Sequence, residues 1–219
     1  MATATAMGMI TDPALTLHQL FSPAFPVGAF AYSHGAEAAV QSGLLRDAAQ
    51  VQAWLEELLA HGSGWCDAVL MAQAARGGDI AALAELAQAL APSADRRLET
   101  VQQGAAFAAT VRAVWGVKLV EAPYPVAVGQ VVRALDLPLA DALRLYLQAF
   151  AANIAGACVR LIPLGQTDGQ RITAALAPLC AALAPRAIAA APDDLGGFVP
   201  MADIQSQRHG ALYSRIFRS

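Results

Sequence analysis

Apolar residues recur at three- and four-residue intervals along nearly the whole chain, and no stretch alternates at period two for long enough to make a strand. That pattern restricts the chain to an all-α fold. Val51, Trp54, Leu55, Leu58 and Leu59 form one helical face behind Asp47, a good N-cap, and Ile80, Leu83, Leu86 and Leu90 form another behind Asp79. Pro92 and Ser93 open a long helix that reaches Trp115. Pro138, at a favoured first-turn position, starts one that runs to about Ile162 and is apolar nearly all round, as a central helix would be. Pro163 ends it. The last long helix, from about Asp168 to Ala184, carries Ile172, Leu176, Leu179 and Leu183, and Pro178 is expected to bend it. Shorter helices are predicted at 14–21, 33–42 and 65–76, with one more carrying Val128, Val131, Val132 and Leu135 after the 122–125 linker. The sum is a bundle of about eight to ten helices, with no break that favours two domains at 219 residues.

The chain is 57% hydrophobic and only 14% charged. Its longest uncharged stretch in the apolar middle, between Arg144 and Arg160, contains Gln148 and Asn153 and falls short of the roughly 20 apolar residues of a membrane span. The excess is therefore expected in the core and in subunit contacts, with no membrane partner. Residues 1–9 lack the basic start of a secretory signal, which makes the cytoplasm the expected location. Cys66, Cys158 and Cys180 include no Cys-x-x-Cys pair and read as buried, reduced thiols. Net charge is −3 and Lys118 is the single lysine, so no basic stripe is available for nucleic acid and no Gly-Lys loop for a nucleotide phosphate.

Turn formers, aromatics and polar groups crowd together at residues 21–37. Pro23 and Pro26 push Ser22 and Phe25 out of the helical region, Gly28 can take whatever turn the bend needs, and Tyr32, Ser33, His34 and Glu37 sit at the start of the helix that follows. His34 and Glu37, three apart, or His61 with Cys66 and Asp67, would each make half of a transient metal site; a helix-start hydrogen bond and a solvated loop are the preferred readings. Tyr32, Ser33 and His34 lack a third member for nucleophilic catalysis, and no Gly-x-Ser-x-Gly elbow is present. Asn153 and Arg160, seven apart on the central helix, share a face and are expected to bond Gln166, Asp168 or Arg171 in a structural polar cluster. Residues 192–219 hold two adjacent glycines and few apolar anchors. They read as a flexible tail that folds on a partner, with Arg208, Tyr213, Arg215 and Arg218 as docking residues.

Three blocks carry a resemblance. Pro26 to Glu37 (Pro-Val-Gly-Ala-Phe-Ala-Tyr-Ser-His-Gly-Ala-Glu), Tyr146 to Gly169, and the end from Arg208-His209 through Tyr213 to Ser219 resemble, in order, the signatures of the UreF family of urease accessory proteins. Ala36 and Gly210 depart from that pattern, which usually has leucine and glutamate there. The resemblance implies an all-helical, homodimeric, non-enzymatic nickel-insertion chaperone that binds UreD (also called UreH), recruits and modulates the GTPase UreG and joins it to apo-urease. It implies no resident cofactor, nickel passing only in transit. Residues 1–191 would be the helical domain and 192–219 the partner-docking tail. Tyr32, Ser33, His34, Glu37, Arg208, Tyr213, Arg215 and Arg218 are the implied partner contacts. The alternative is a small helical enzyme using Tyr32, His34 and Glu37.

Overall fold

The computed structural model describes residues 12–219; the reading of residues 1–9 falls outside them. Ten α-helices and two short 3-10 turns make up the regular structure, with no strand among the described residues. The helices are α1 (Pro13–Phe21), α2 (Ala36–Gln41), α3 (Ala48–His61), α4 (Ser63–Ala75), α5 (Ile80–Ala89), α6 (Ala94–Trp115), α7 (Tyr124–Ala134), α8 (Leu139–Leu161), α9 (Gln166–Ala189) and α10 (Pro200–His209). Local chemistry sets several starts. Asp47 accepts from the Gln50 amide, Asp79 from those of Ala81 and Ala82, and Ser93 from that of Arg96. Gly64 sits in the first turn of α4, and the break between α3 and α4 falls at Gly62. α9 runs on through Pro178 and Pro185 to Ala189, five residues past the expected end.

α8 is central, packed against α1, α2, α3, α4 and α9. Its Leu143, Leu147, Ala151 and Ile154 are sealed from solvent with Leu17 and Leu20 of α1, Leu55 and Leu59 of α3, and Ile172 and Leu176 of α9. Each large side chain of this kind contributes about 1.5–3 kcal/mol relative to leaving it exposed. α8 and α9 are both long and apolar enough to cross a membrane, a property the uncharged-stretch argument missed. Within the bundle that composition serves packing, since α9 lies against α3, α4 and α8.

Small residues let the helices approach closely. A Cβ on Gly129 of α7 would collide with the Met71 carbonyl and the Ala74 methyl of α4, so the α4–α7 contact depends on a bare Cα. Gly129→Ala is expected to push the two helices apart and cost about 1–3 kcal/mol, the usual cost of overpacking. A urea midpoint unchanged from wild type would count against this account.

Candidate functional site

The bend at 21–37 is built as a stepwise reversal. Gly28 is left-handed (φ 74°), Ala29–Ala31 make a 3-10 turn, Tyr32 is extended, and two successive left-handed residues follow, His34 (φ 54°) and Gly35 (φ 78°). A right-handed helix cannot include that pair, so α2 begins at Ala36 rather than at Ser33. For His34 the conformation is uncommon and must be held by its surroundings. Ala36 is fully buried.

What holds it is the other end of the chain. The residues from 192 on were expected to be loose, and this is corrected: α10 packs against α2 and α6, and the strap of residues 211–219 lies against the bend. The grip is polar, which explains why sparse apolar anchors misled. Glu37, 1% exposed, receives the Ile216 amide on Oε1 at 2.7 Å and the Phe217 amide on Oε2 at 3.0 Å. The buried His209 ring lies between two carboxylates, with Nε2 3.1 Å from Glu37 and Nδ1 3.2 Å from Asp95. Arg215 also reaches Asp95, at 3.2 Å. The Arg218 amide donates to the Ala31 carbonyl at 2.8 Å, and the Ser33 amide and hydroxyl both donate to the Ser219 carbonyl, at 2.8 and 2.6 Å.

A second buried cluster lies beneath. Glu99 of α6 contacts Arg96, receives the Ser219 hydroxyl and Gln103 Nε2, and lies 2.9 Å from His34 Nε2. Burial alone would raise the Glu99 carboxyl, but the Arg96 charge and His34 outweigh it and hold it at about 2. Burial, then the Arg96 charge, pushes His34 below its ordinary value, which favours the neutral ring. With its proton on Nε2 the ring donates to Glu99, and its edge rests on Phe150, centroids 4.8 Å apart. Tyr32 closes the group by donating to Gln102 Oε1 at 2.8 Å.

The structure therefore brings Tyr32, Ser33, His34 and Glu37 together with the strap, while their roles diverge. His34 faces Glu99 and Glu37 faces the strap amides, so Tyr32, His34 and Glu37 do not converge on one point. Among the described residues no group of three His, Cys, Asp or Glu side chains is arranged to hold a metal ion. Cys66 is buried, its thiol pushed up to about 11 by burial, whereas His61 is exposed. Arg208, Tyr213, Arg215 and Arg218 are exposed, Tyr213 completely so.

The expected cluster of Asn153, Arg160, Gln166, Asp168 and Arg171 is corrected. Asn153 and Arg160 do share a face, but it is the face against the bend: Asn153 donates to the Tyr32 carbonyl at 3.4 Å and Arg160 to that of Phe30 at 3.0 Å. Arg160 is exposed rather than buried, and its guanidinium lies over the Phe217 ring, 4.5 Å from the centroid. Asp168 accepts from the Gly165 amide at the start of α9 and pairs with Arg171 at 2.9 Å, away from the other two, and Gln166 is exposed. Sequence reasoning missed Asp95, Arg96, Glu99 and His209. The only local signal was Arg96 and Glu99 at i, i+3, a spacing that also suits a solvated surface pair.

Above these clusters the surface is apolar and basic. Phe30, Leu98, Val101, Tyr213 and Ile216 are exposed, and a cleft of about 480 Å³ runs between α6 and the strap, lined by Tyr32, Leu98, Arg215, Ile216 and Arg218. Exposed apolar side chains beside Arg215 and Arg218, on a backbone fixed by buried carboxylates, mark one end of an all-helical domain. The comparisons with known proteins give that class its family. The UreF family model matches residues 45–177. Urease accessory protein UreF of Cereibacter sphaeroides (strain KD131 / KCTC 12085) is 51% identical over 205 residues, covering 94% of this chain and 98% of that protein. UreF of Roseobacter denitrificans is 48% identical with 96% of each covered, and UreF of Rhodopseudomonas palustris (strain HaA2) 47% identical with 100% of each covered. The chain belongs to the UreF family of urease accessory proteins.

Proposed function

We propose that this chain is a non-catalytic scaffold for nickel incorporation into urease. It binds UreD/UreH, recruits and orients the GTPase UreG, and links that pair to apo-urease, working as a cytoplasmic homodimer. Nickel is cargo in this reading, not a resident cofactor. The observation that carries it is the strap. The 32–37 turn and the 209–219 end, far apart in sequence, are locked together by Glu37, His209 and Glu99, and the lock turns Tyr213, Ile216, Arg215 and Arg218 outward. A backbone already held rigid suits this surface to contact, because less ordering entropy is lost on binding.

The test is size-exclusion chromatography of the chain with its UreD and UreG. Single replacement of Arg208, Arg218 or Tyr213 by alanine is expected to weaken complex formation. GTP hydrolysis within whatever complex remains should be nearly unchanged. A fall of more than about a hundredfold in turnover with the complex intact would instead assign that arginine to the phosphoryl-transfer step. Full co-elution of all three variants would remove the strap surface from the proposal. Arg215 is a less clean probe, since its loss also frees Asp95.

A further inference from the structure

Asp67 of α4 is a half-buried carboxylate that the strap does not use. Its Oδ2 accepts a 2.8 Å bond from the Tyr146 hydroxyl of α8. Two small cavities, about 60 and 30 Å³, meet at its side chain, and Asp67, Arg96 and Thr100 line both. The larger also has His34, Glu99 and Tyr124 in its wall. Cavities of this size and polarity hold water when two or more polar partners face them.

We propose that Asp67 and these two cavities form a hydrated charge relay that ties the ionisation of Asp67 to the grip of Glu99 on the strap. Arg96 is the moving part. Its guanidinium offers five N–H donors, and Glu99 uses only some of them. A charge on Asp67, reached through cavity water, draws Arg96 partly away from Glu99. Glu99 then holds Ser219 and His34 with less counter-charge, and the end of the strap loosens. The device adds pH control to the scaffold and does not depend on which proteins dock there.

The groups facing Asp67 are Cys66 on its own helix, Arg96 and Glu99 of α6, Tyr124 of α7, Tyr146 of α8 and His34 of the turn. Burial raises the Cys66 thiol and both tyrosine hydroxyls, while Glu99 stays near 2. His34 is moved to the acid side of its ordinary value. Burial pushes Asp67 itself up to about 6 from 3.8, against the pull of Arg96 and Tyr146. Because the folded value lies above the unfolded one, protonated Asp67 favours the folded, strapped state fully below about 3.8, and that contribution is lost as pH rises through about 6.

The experiment measures amide exchange at Ser33 and Arg218, which bond Ser219 and Ala31, between pH 5 and 7 and corrected for intrinsic exchange. Protection in the wild type is expected to fall by about tenfold over this range, the size of one pKa unit of linkage, and to stay flat in Asp67→Asn. An identical fall in Asp67→Asn would overturn the proposal, as would a wild-type profile with no pH dependence. Should Asp67→Asn fail to fold, the carbon-13 shift of the Asp67 carboxyl in the wild type decides. A midpoint above pH 5 that moves upward in Tyr146→Phe supports the relay, and a midpoint near 4 refutes it.

Discussion

Glu37→Ala is expected to free the strap and destabilise the domain by about 3–5 kcal/mol, the cost of removing one partner from a buried charged pair. The change strands three donors at once: the amides of Ile216 and Phe217, and Nε2 of a His209 ring with no solvent to turn to. Since a whole domain is stable by only about 5–15 kcal/mol, the effect will be visible in any thermal melt. Loss of exchange protection at the 216 and 217 amides should accompany it. Glu37→Gln should be milder, because the amide oxygen can still serve one backbone donor while its NH₂ opposes the other. Retained protection at both amides in Glu37→Ala would mean that apolar contacts of Phe217, not the carboxylate, hold the strap.

A comparable loss is expected from Gly35→Ala. At φ 78° any L side chain carries a penalty of roughly 1–2 kcal/mol. Here the new Cβ would also lie 2.7 Å from the Ser206 amide nitrogen and 2.9 Å from its Cα, both backbone atoms of α10. Neither can rotate aside, so α10 must shift away from α2, at about 1–3 kcal/mol more. The two terms together give about 2–5 kcal/mol. With α10 goes the Ser93–Ser206 hydroxyl contact, 2.7 Å, that ties α10 to α6. Urea unfolding should show the lower midpoint, and on the scaffold role proposed above binding to UreD should weaken with it. If stability holds while binding is lost, the glycine serves the contact surface directly and not the α2–α10 packing.

Much of the fold was legible because its determinants are local. An Asp or Ser cap, a proline near a first turn and an apolar face at helical spacing act within a few residues, so Asp47, Asp79 and Ser93 mark helix starts as read, and Pro138 falls at the N-cap of α8, one residue before its first turn. The bend was legible for the same reason, since Pro23, Pro26 and Gly28 are incompatible with a helix on their own. Its exit was not: nothing adjacent dictates a left-handed His34, which is held by Glu99, sixty-five residues on, and by packing on Phe150. The tail misled because foldability was judged from apolar anchors. Its actual anchors are a carboxylate and an imidazole, whose value depends on being buried beside partners on α2 and α6. Arg160 failed in the opposite way, since a face was assigned correctly and the neighbour across it was not. Helical period shows which residues share a face, and only packing shows what that face meets.

The bond from Ser33 to Ser219 spans 186 positions, and those from Glu37 to the strap about 180. Contacts so remote in sequence close late, because loop closure is entropically costly until other contacts reward it. During synthesis the bundle from α1 to α9 can condense as it emerges, but Ser33 and Glu37 lack their strap partners until residues 209–219 leave the ribosome. A truncated or stalled chain would therefore hold most of its helices and yet present no docking face. The strap acts as a check on completeness: a copy that lacks it cannot hold the 32–37 turn in this form.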